Sequence, residues 1–300
     1  MTKKTLYLLL GLITILVGTY FFMTCCSCCN GTKVTAPVEE VVEPVKPKAT
    51  SYPFAFSEGD YAYNEQDNFN FNVSNNKILE PLSAKVEAGI ESLKKYLEEH
   101  PNSVFDITGY YKASETNNSA FPNLGLARAN AVKNYLVSKG ISSARLNTHG
   151  QLMEEMVSKD NIFYGPIKYG LAKGADTKDE MAELKAKIQA NPLILYFNTA
   201  EASVSLSAEQ RQKFADISRY LDKVDGATCN VVGHTDNTGN ASANLKLGQN
   251  RADYAKGYLM QNGIAGSKIN ASSKGQTKPI ATNATEEGKA KNRRTVVTIK

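Results

Sequence analysis

Two side chains near the C-terminal end could do recognition chemistry. In "NVVGHTDNTG" (Asn230 to Gly239) an apolar strand runs into a glycine and then a polar corner that carries Asp236. Further on, "NLKLGQNRADYAKGYL" (Asn244 to Leu259) places Arg251 on a helical stretch. A carboxylate only accepts hydrogen bonds, whereas a guanidinium is a fixed fork of donors that can hold a carboxylate bidentately. The loop after Asp236 leads into a helix whose first amides favour an anion. Thr235 can add a hydroxyl, and Asn198, at the end of an earlier strand, can rim the same pocket. The competing reading is a surface ion pair between Asp236 and Arg251, worth about 0–1 kcal/mol. His234 has no partner at metal-ligand spacing and reads as a packed, hydrogen-bonded histidine. No Ser-His-Asp or Cys-His arrangement, zinc spacing or paired acid tied to a cleft occurs, so catalytic residues, metal and cofactor are all expected to be none.

The elements that position these residues occur twice. "LEPLSAKVEAGIESLKKYL" ends at Leu97 and "SVSLSAEQRQKFADISRYL" at Leu221, an offset of 221 − 97 = 124 that also relates Gly109 to Gly233. "LGLARANAVKNYLVSKGISSARLN" (Leu124 to Asn147) matches "LGQNRADYAKGYLMQNGIAGSKIN" (Leu247 to Asn270), with Arg128 opposite Arg251 and Gly140 opposite Gly263. Such self-similarity predicts two copies of one domain. Each copy is read as an alternating strand (Phe69 and Phe71; Leu195 and Phe197), a helix, a strand into the glycine, a polar loop, and a longer helix carrying the arginine. Ser207 is the expected N-cap of the second copy's first helix, with Phe214, Ile217 and Leu221 on its buried face. Gly140 and Gly263 are the expected left-handed helix ends. "RTVVTIK" reads as a closing strand. Strands alternating with helices predict an α/β sandwich of helices on a mixed sheet.

The first copy differs at the corner. In "FDITGYYKAS" (Phe105 to Ser114) Lys112 stands where the second copy has Asp236. Its closing segment "NIFYGPIKYGL" (Asn161 to Leu171) lacks the second copy's Asn-Arg-Arg.

Three motifs in order make the second copy resemble the OmpA-like C-terminal domain, the peptidoglycan-associating module of bacterial envelopes. They are "GHTDNTG", the stretch from Asn244 to Leu259, and "GQTKPIATNATEEGKAKNRR" (Gly275 to Arg294). Gly248 and Ala255 depart from the family's usual Ser and Val. The first copy resembles the same domain in degenerate form. The resemblance implies a fold of two OmpA-like α/β sandwich domains. It implies a non-catalytic tether that grips the diaminopimelate side chain of the stem peptide. Asp236 would take its ammonium and Arg251 its carboxylate, with Thr235, Asn198 and Asn244 completing the site. Arg293 and Arg294 are expected to staple the closing strand, and Asn283 in its N-x-T to form a turn. With Lys112 in place of the aspartate, the first copy is not expected to bind diaminopimelate this way; it is a spacer or a dock for a protein partner. The alternative is a stator-like or transport-complex component that uses the same domain as a wall anchor. Ion-driven stators need an intramembrane carboxylate, and the candidate span below has none.

That span is "TLYLLLGLITILVGTYFFMT", Thr5 to Thr24, without a charged residue. At about 1.5 Å per residue it reaches across a bilayer core. Lys3 and Lys4 precede it and no basic residue follows before Lys33, which puts the remainder outside the cytoplasm. A cleaved signal peptide is the competing reading. Cys25, Cys26, Cys28 and Cys29 follow at once. They lie too close together for a domain's disulfide framework. Lipid attachment, soft-metal or redox chemistry, and thiols without a fixed role all stay open. Cys229 reads as a small apolar strand residue. The expected organisation is an anchor with the cysteine cluster (1–29), a Pro/Val/Glu/Lys linker (30–54), the degenerate domain (55–171), a connecting helix (172–191) and the peptidoglycan-binding domain (192–300). Both domains are expected in the periplasm. Family resemblance favours the outer membrane and an uncleaved span the inner one. The net charge of +5 is spread along the chain, so nucleic acid is not an expected partner.

Overall fold

In "CNVVGH" and "SVFDITGYY" the alternation of apolar residues sends every second side chain into a core, and both stretches are central strands. A computed structural model of the chain describes residues 13–21, 23, 48–174 and 178–300. The first half of the α/β body contains β1 (Phe54–Glu58), β2 (Tyr61–Glu65), β3 (Phe71–Asn72), α1 (Ala84–Glu99), β4 (Ser103–Tyr111), α2 (Leu124–Ser138), β5 (Leu146–Leu152), β6 (Ile162–Phe163) and β7 (Ile167–Lys173). The second contains α3 (Lys178–Ala190), β8 (Leu193–Tyr196), α4 (Ala208–Lys223), β9 (Cys229–His234), α5 (Ala241–Gln261), β10 (Ile269–Gly275), α6 (Glu286–Asn292) and β11 (Arg294–Ile299).

The second sheet runs β10-β9-β11-β8. β9 pairs parallel with β10 and antiparallel with β11. The first sheet runs β5-β4-β7, with β4 parallel to β5 and antiparallel to β7. Each arginine-bearing helix packs against its central strand and the parallel neighbour. The contact is close because glycines face each other. A Cβ on Gly233 would overlap the Gly248 carbonyl oxygen, and a Cβ on Gly109 the Gly125 carbonyl oxygen. The helices are ended as expected, with Gly140 at φ +94° and Gly263 at φ +86°. Ser207 caps α4 and Gln210 reaches back to the Ser207 amide, a reciprocal capping box. Phe214, Ile217, Leu221 and Cys229 lie in the second core. Burial pushes the Cys229 thiol up to about 11, so it is inert.

The structure departs from expectation at the first half's opening strand. Phe69 and Phe71 are buried, but only Phe71–Asn72 is extended, and it pairs with β6 outside the main sheet. The antiparallel hairpin β1–β2 was not foreseen. β1 packs beside β7, and its Phe54 and Phe56 join the aromatic core around Phe105 and Tyr169. The body also begins earlier than the expected linker end. Pro47–Lys300 form one compact unit. The Thr50 amide donates to the Val157 carbonyl (3.0 Å), and Ser51 bridges to Tyr164. The two halves of the body meet through a Lys133–Asp222 ion pair and through the Lys223 ammonium, which donates to the Ala144 carbonyl at 2.7 Å.

Residues 13–21 and 23 are helical, and their large apolar side chains are exposed, among them Ile15, Leu16 and Phe21. Among the described residues no helix is long and apolar enough to cross a membrane. The rest of the Thr5–Thr24 segment and all four clustered cysteines lie outside the described residues.

Candidate functional site

Arg251 lies on α5 where the helix crosses the C-terminal end of β9, and its side chain is fully buried. Three backbone carbonyls hold it. Nε donates to Glu201 (2.8 Å), Nη1 to His234 (2.8 Å) and Nη2 to Asn198 (3.1 Å). Its guanidinium lies over the Phe197 ring at 5.0 Å. Two of those carbonyls come from the β8–α4 loop, which turns through Ala200 in a left-handed conformation at φ +61°. Three of the five N–H groups of a guanidinium are thereby used. Burial pulls Arg251 down to about 10 against the raising effect of Asp236, with Arg293 adding to the fall. The group stays charged at neutral pH. No ion pair of Arg251 occurs among the described residues.

Asp236 is 4% exposed. Oδ1 accepts from the Thr238 amide (2.9 Å) and Oδ2 from Arg293 Nη1 (3.0 Å). Burial opposes its ionisation, but the Thr238 contacts and the Arg293 charge outweigh it, and the carboxyl sits below its ordinary range. The simple surface pair between Asp236 and Arg251 is therefore not what forms: Asp236 pairs with Arg293.

The other expected residues support the corner. The Thr235 hydroxyl donates to the Asp236 carbonyl (2.7 Å), and the Thr235 amide to the Gly275 carbonyl (2.9 Å). Asn244 Nδ2 donates to the Thr238 carbonyl (3.0 Å) and to Gln276 Oε1 (2.6 Å), tying the loop to the chain after β10. Asn198 is exposed; its side chain donates to the Glu201 carboxylate (2.9 Å) while its carbonyl holds Arg251. Burial, helped by Arg294 and Lys274, drops His234 to about 4, so it is neutral. Its Nδ1 has no hydrogen-bond partner among the described residues.

Arg293, expected from the sequence only to staple the closing strand, also grips the Asp236 carboxylate. Besides gripping Asp236, its Nε donates to the Phe197 carbonyl at 3.1 Å. It thus staples the strand end and positions the carboxylate at once. Arg294 does only the first, donating to the Asn292 and Lys278 carbonyls. Asn283 lies in the turn before α6, where its Oδ1 accepts from Asn292.

The corresponding place in the first half is built alike and filled. Arg128 is fully buried. Its Nε donates to the Asn75 carbonyl (3.1 Å), Nη1 to Tyr110 (2.8 Å) and Nη2 to Asn72 (3.4 Å). The loop between Asn72 and Asn75 also turns through a left-handed residue, Ser74 at φ +57°. The two N–H groups left over go to the Glu115 carboxylate: Nη1 to Oε2 at 3.0 Å, and Nη2 to Oε1. The Lys112 ammonium donates to the Met156 carbonyl (3.0 Å). Glu115 was not singled out in the sequence. The signal was a carboxylate in the loop of the half that carries Lys112 where the other carries Asp236, at the offset where the second half has Gly239.

Outer membrane protein A of Bordetella avium is 33% identical over 130 residues, 43% of this chain and 66% of that protein. Peptidoglycan-binding protein ArfA of Mycobacterium bovis is 40% identical over 86 residues, 28% of this chain and 26% of that protein. The crystal structure of the peptidoglycan-associated lipoprotein from Burkholderia pseudomallei matches with 28% identity, covering 36% of this chain and 89% of that one, at a TM-score of 0.34. The match spans less than two thirds of the length of these two relatives. The OmpA family model matches twice, at residues 71–162 and again at 196–293. Those two segments cover more than half of the sequence, and the chain belongs to the OmpA family.

Proposed function

We propose that this chain is a non-catalytic envelope protein that ties a bacterial membrane to peptidoglycan. Its second half grips the diaminopimelate side chain of the stem peptide. The observation that carries the reading is the unfilled fork of Arg251. Three carbonyls fix the guanidinium and two N–H groups remain, near a buried, ionised Asp236. The free end of diaminopimelate is a zwitterion and needs one acceptor and one donor fork. Asp236 Oδ1 and Oδ2 retain acceptor capacity beyond the Thr238 and Arg293 bonds, since a carboxylate offers about four lone-pair sites. Thr235, Asn244 and Arg293 hold the corner in place, and Asn198 rims it. The repeated strand order, the repeated arginine cage and the two family segments support a duplication, with the first half as spacer or partner dock. The exposed apolar helix of residues 13–21 supports a membrane anchor at the N-terminus. The named wall-binding and outer-membrane relatives support an envelope location.

Co-sedimentation of the full chain with purified cell walls tests the site. The wild type should pellet with diaminopimelate-type wall and not with lysine-type wall, and Asp236→Asn should stay in solution. Equal retention of Asp236→Asn, or equal retention on both walls, overturns the assignment. Arg251→Ala is a poor probe, because it orphans three carbonyls in a buried pocket. Arg251→Lys keeps a charge and loses the fork.

A further inference from the structure

Four N–H donors converge on one buried point in the first half. They are Arg128 Nη1 and Nη2, the Lys112 amide and the Ser74 amide. Glu115 Oε2 accepts from Lys112 at 3.0 Å and Oε1 from Ser74 at 2.9 Å, in addition to the two guanidinium bonds. The Glu115 side chain is only 2% exposed. The rings of Phe71 and Phe163 flank the guanidinium at 5.8 Å and 5.3 Å. A carboxylate in such a cage is fully satisfied, and the cage without one leaves buried donors unpaired. The three carbonyl contacts that fix Arg128 match those that fix Arg251, so the cage does not depend on Glu115 for its outline.

We propose that the Arg128 cage is a carboxylate-binding site occupied by the chain's own Glu115, and that it takes a small free carboxylate once that side chain is removed. The ligand class is a monocarboxylate and not a zwitterion. The nearby corner carries the Lys112 ammonium, held on the Met156 carbonyl, in place of an aspartate, and that ammonium repels a second cation. The inference deepens the proposed function, resting on the reading of the Arg251 fork as a carboxylate seat. It gives each chain a single open seat for the wall and closes the first half to it.

The test uses the full chain in mild detergent, as wild type, Glu115→Gly and Glu115→Gln. Glycine is what the second half has at the matching position. Thermal unfolding is followed in sodium acetate and in sodium chloride at matched ionic strength and neutral pH. In chloride, Glu115→Gly should melt roughly 5–10 °C below wild type. Acetate should raise its midpoint in a saturable, concentration-dependent way, as a ligand of the native state does. Wild type and Glu115→Gln, whose cages stay filled, should not distinguish the two salts. A Glu115→Gly protein that responds alike to both salts overturns the proposal. So does one that folds in neither, since abundant acetate would refill a true seat. Either failure leaves the cell-wall sedimentation of the second half unaffected, so the two readings fall separately.

Discussion

Arg128 and Arg251 sit in cages of the same construction, each held by three backbone carbonyls. Arg128 closes on a carboxylate from the loop before its helix, while Arg251 closes on none among the described residues. The filled cage shows what group the geometry is shaped for. The unfilled one, with an ionised aspartate nearby, is where the proposed ligand's carboxylate would sit. The lysine and the glutamate of the first half belong together. Lys112 removes the acceptor for a cation, and Glu115 supplies internally the anion that the cage wants.

The comparison can be broken or sharpened at several points. The largest effect should come from what the halves share. Gly233→Ala and Gly109→Ala each drive a methyl group into a helix carbonyl and should cost about 3 kcal/mol or more, read as lost soluble yield and lowered denaturation midpoint. A mild outcome in one half alone would show that the two helix crossings are not equivalent. Next, the arginines should separate. Arg128→Met strands the buried Glu115 and should cost about 3–5 kcal/mol. Arg251→Met leaves no buried carboxylate in its cage and should cost less, about 2–3 kcal/mol. Chemical denaturation of both variants checks the order, and the reverse order would mean Arg251 has a partner of its own.

For wall binding, Asp236→Asn should weaken retention by about 1.5–3 kcal/mol, the value of a hydrogen bond to a charged group, or roughly 10- to 100-fold. Lys112→Ala should leave it unchanged. Acid should then erase the benefit of Glu115. Burial raises its carboxyl, but Arg128 and the Lys112 and Ser74 amides outweigh that, and the group sits below its ordinary range. A depressed carboxylate stabilises the fold above its unfolded value of about 4.3 and loses that contribution as pH falls through the folded value. The stability gap between wild type and Glu115→Gln should be full at neutral pH and shrink below about pH 4. The smallest effect belongs to the left-handed loop residues. Ala200→Gly relieves an unfavourable φ while loosening the unfolded chain, and should stabilise by about 0.5 kcal/mol or less; Ser74→Gly also gives up the hydroxyl that accepts from the Thr116 amide, so its gain should be smaller still.

The periodic elements were legible in the sequence, because strand alternation, the Ser207 cap and the terminal glycines at Gly140 and Gly263 are local signals. Asp236 and Arg251 were legible as a pair of types at a motif spacing, and the structure brings both to the end of β9. The partners were not legible. Arg293 reaches Asp236 from the far end of the half, and Glu115 reaches Arg128 across a loop without periodic pattern. The carbonyls that hold each arginine are backbone groups, which side-chain identity does not advertise. The β1–β2 hairpin escaped notice because the repeat has no counterpart to it.

The carbonyl cage around Arg251 has a kinetic consequence. A free arginine side chain carries about 2 kcal/mol of rotamer entropy, and binding normally gives some of this up. Here the chain's own backbone has already immobilised it, so the proposed ligand meets a group with no search left to make. Such pre-organisation acts mostly on the lifetime of a complex, since related complexes differ chiefly in how fast they come apart. The proposed tether would be judged by how long it stays attached under tension, and a guanidinium locked at three points favours slow release.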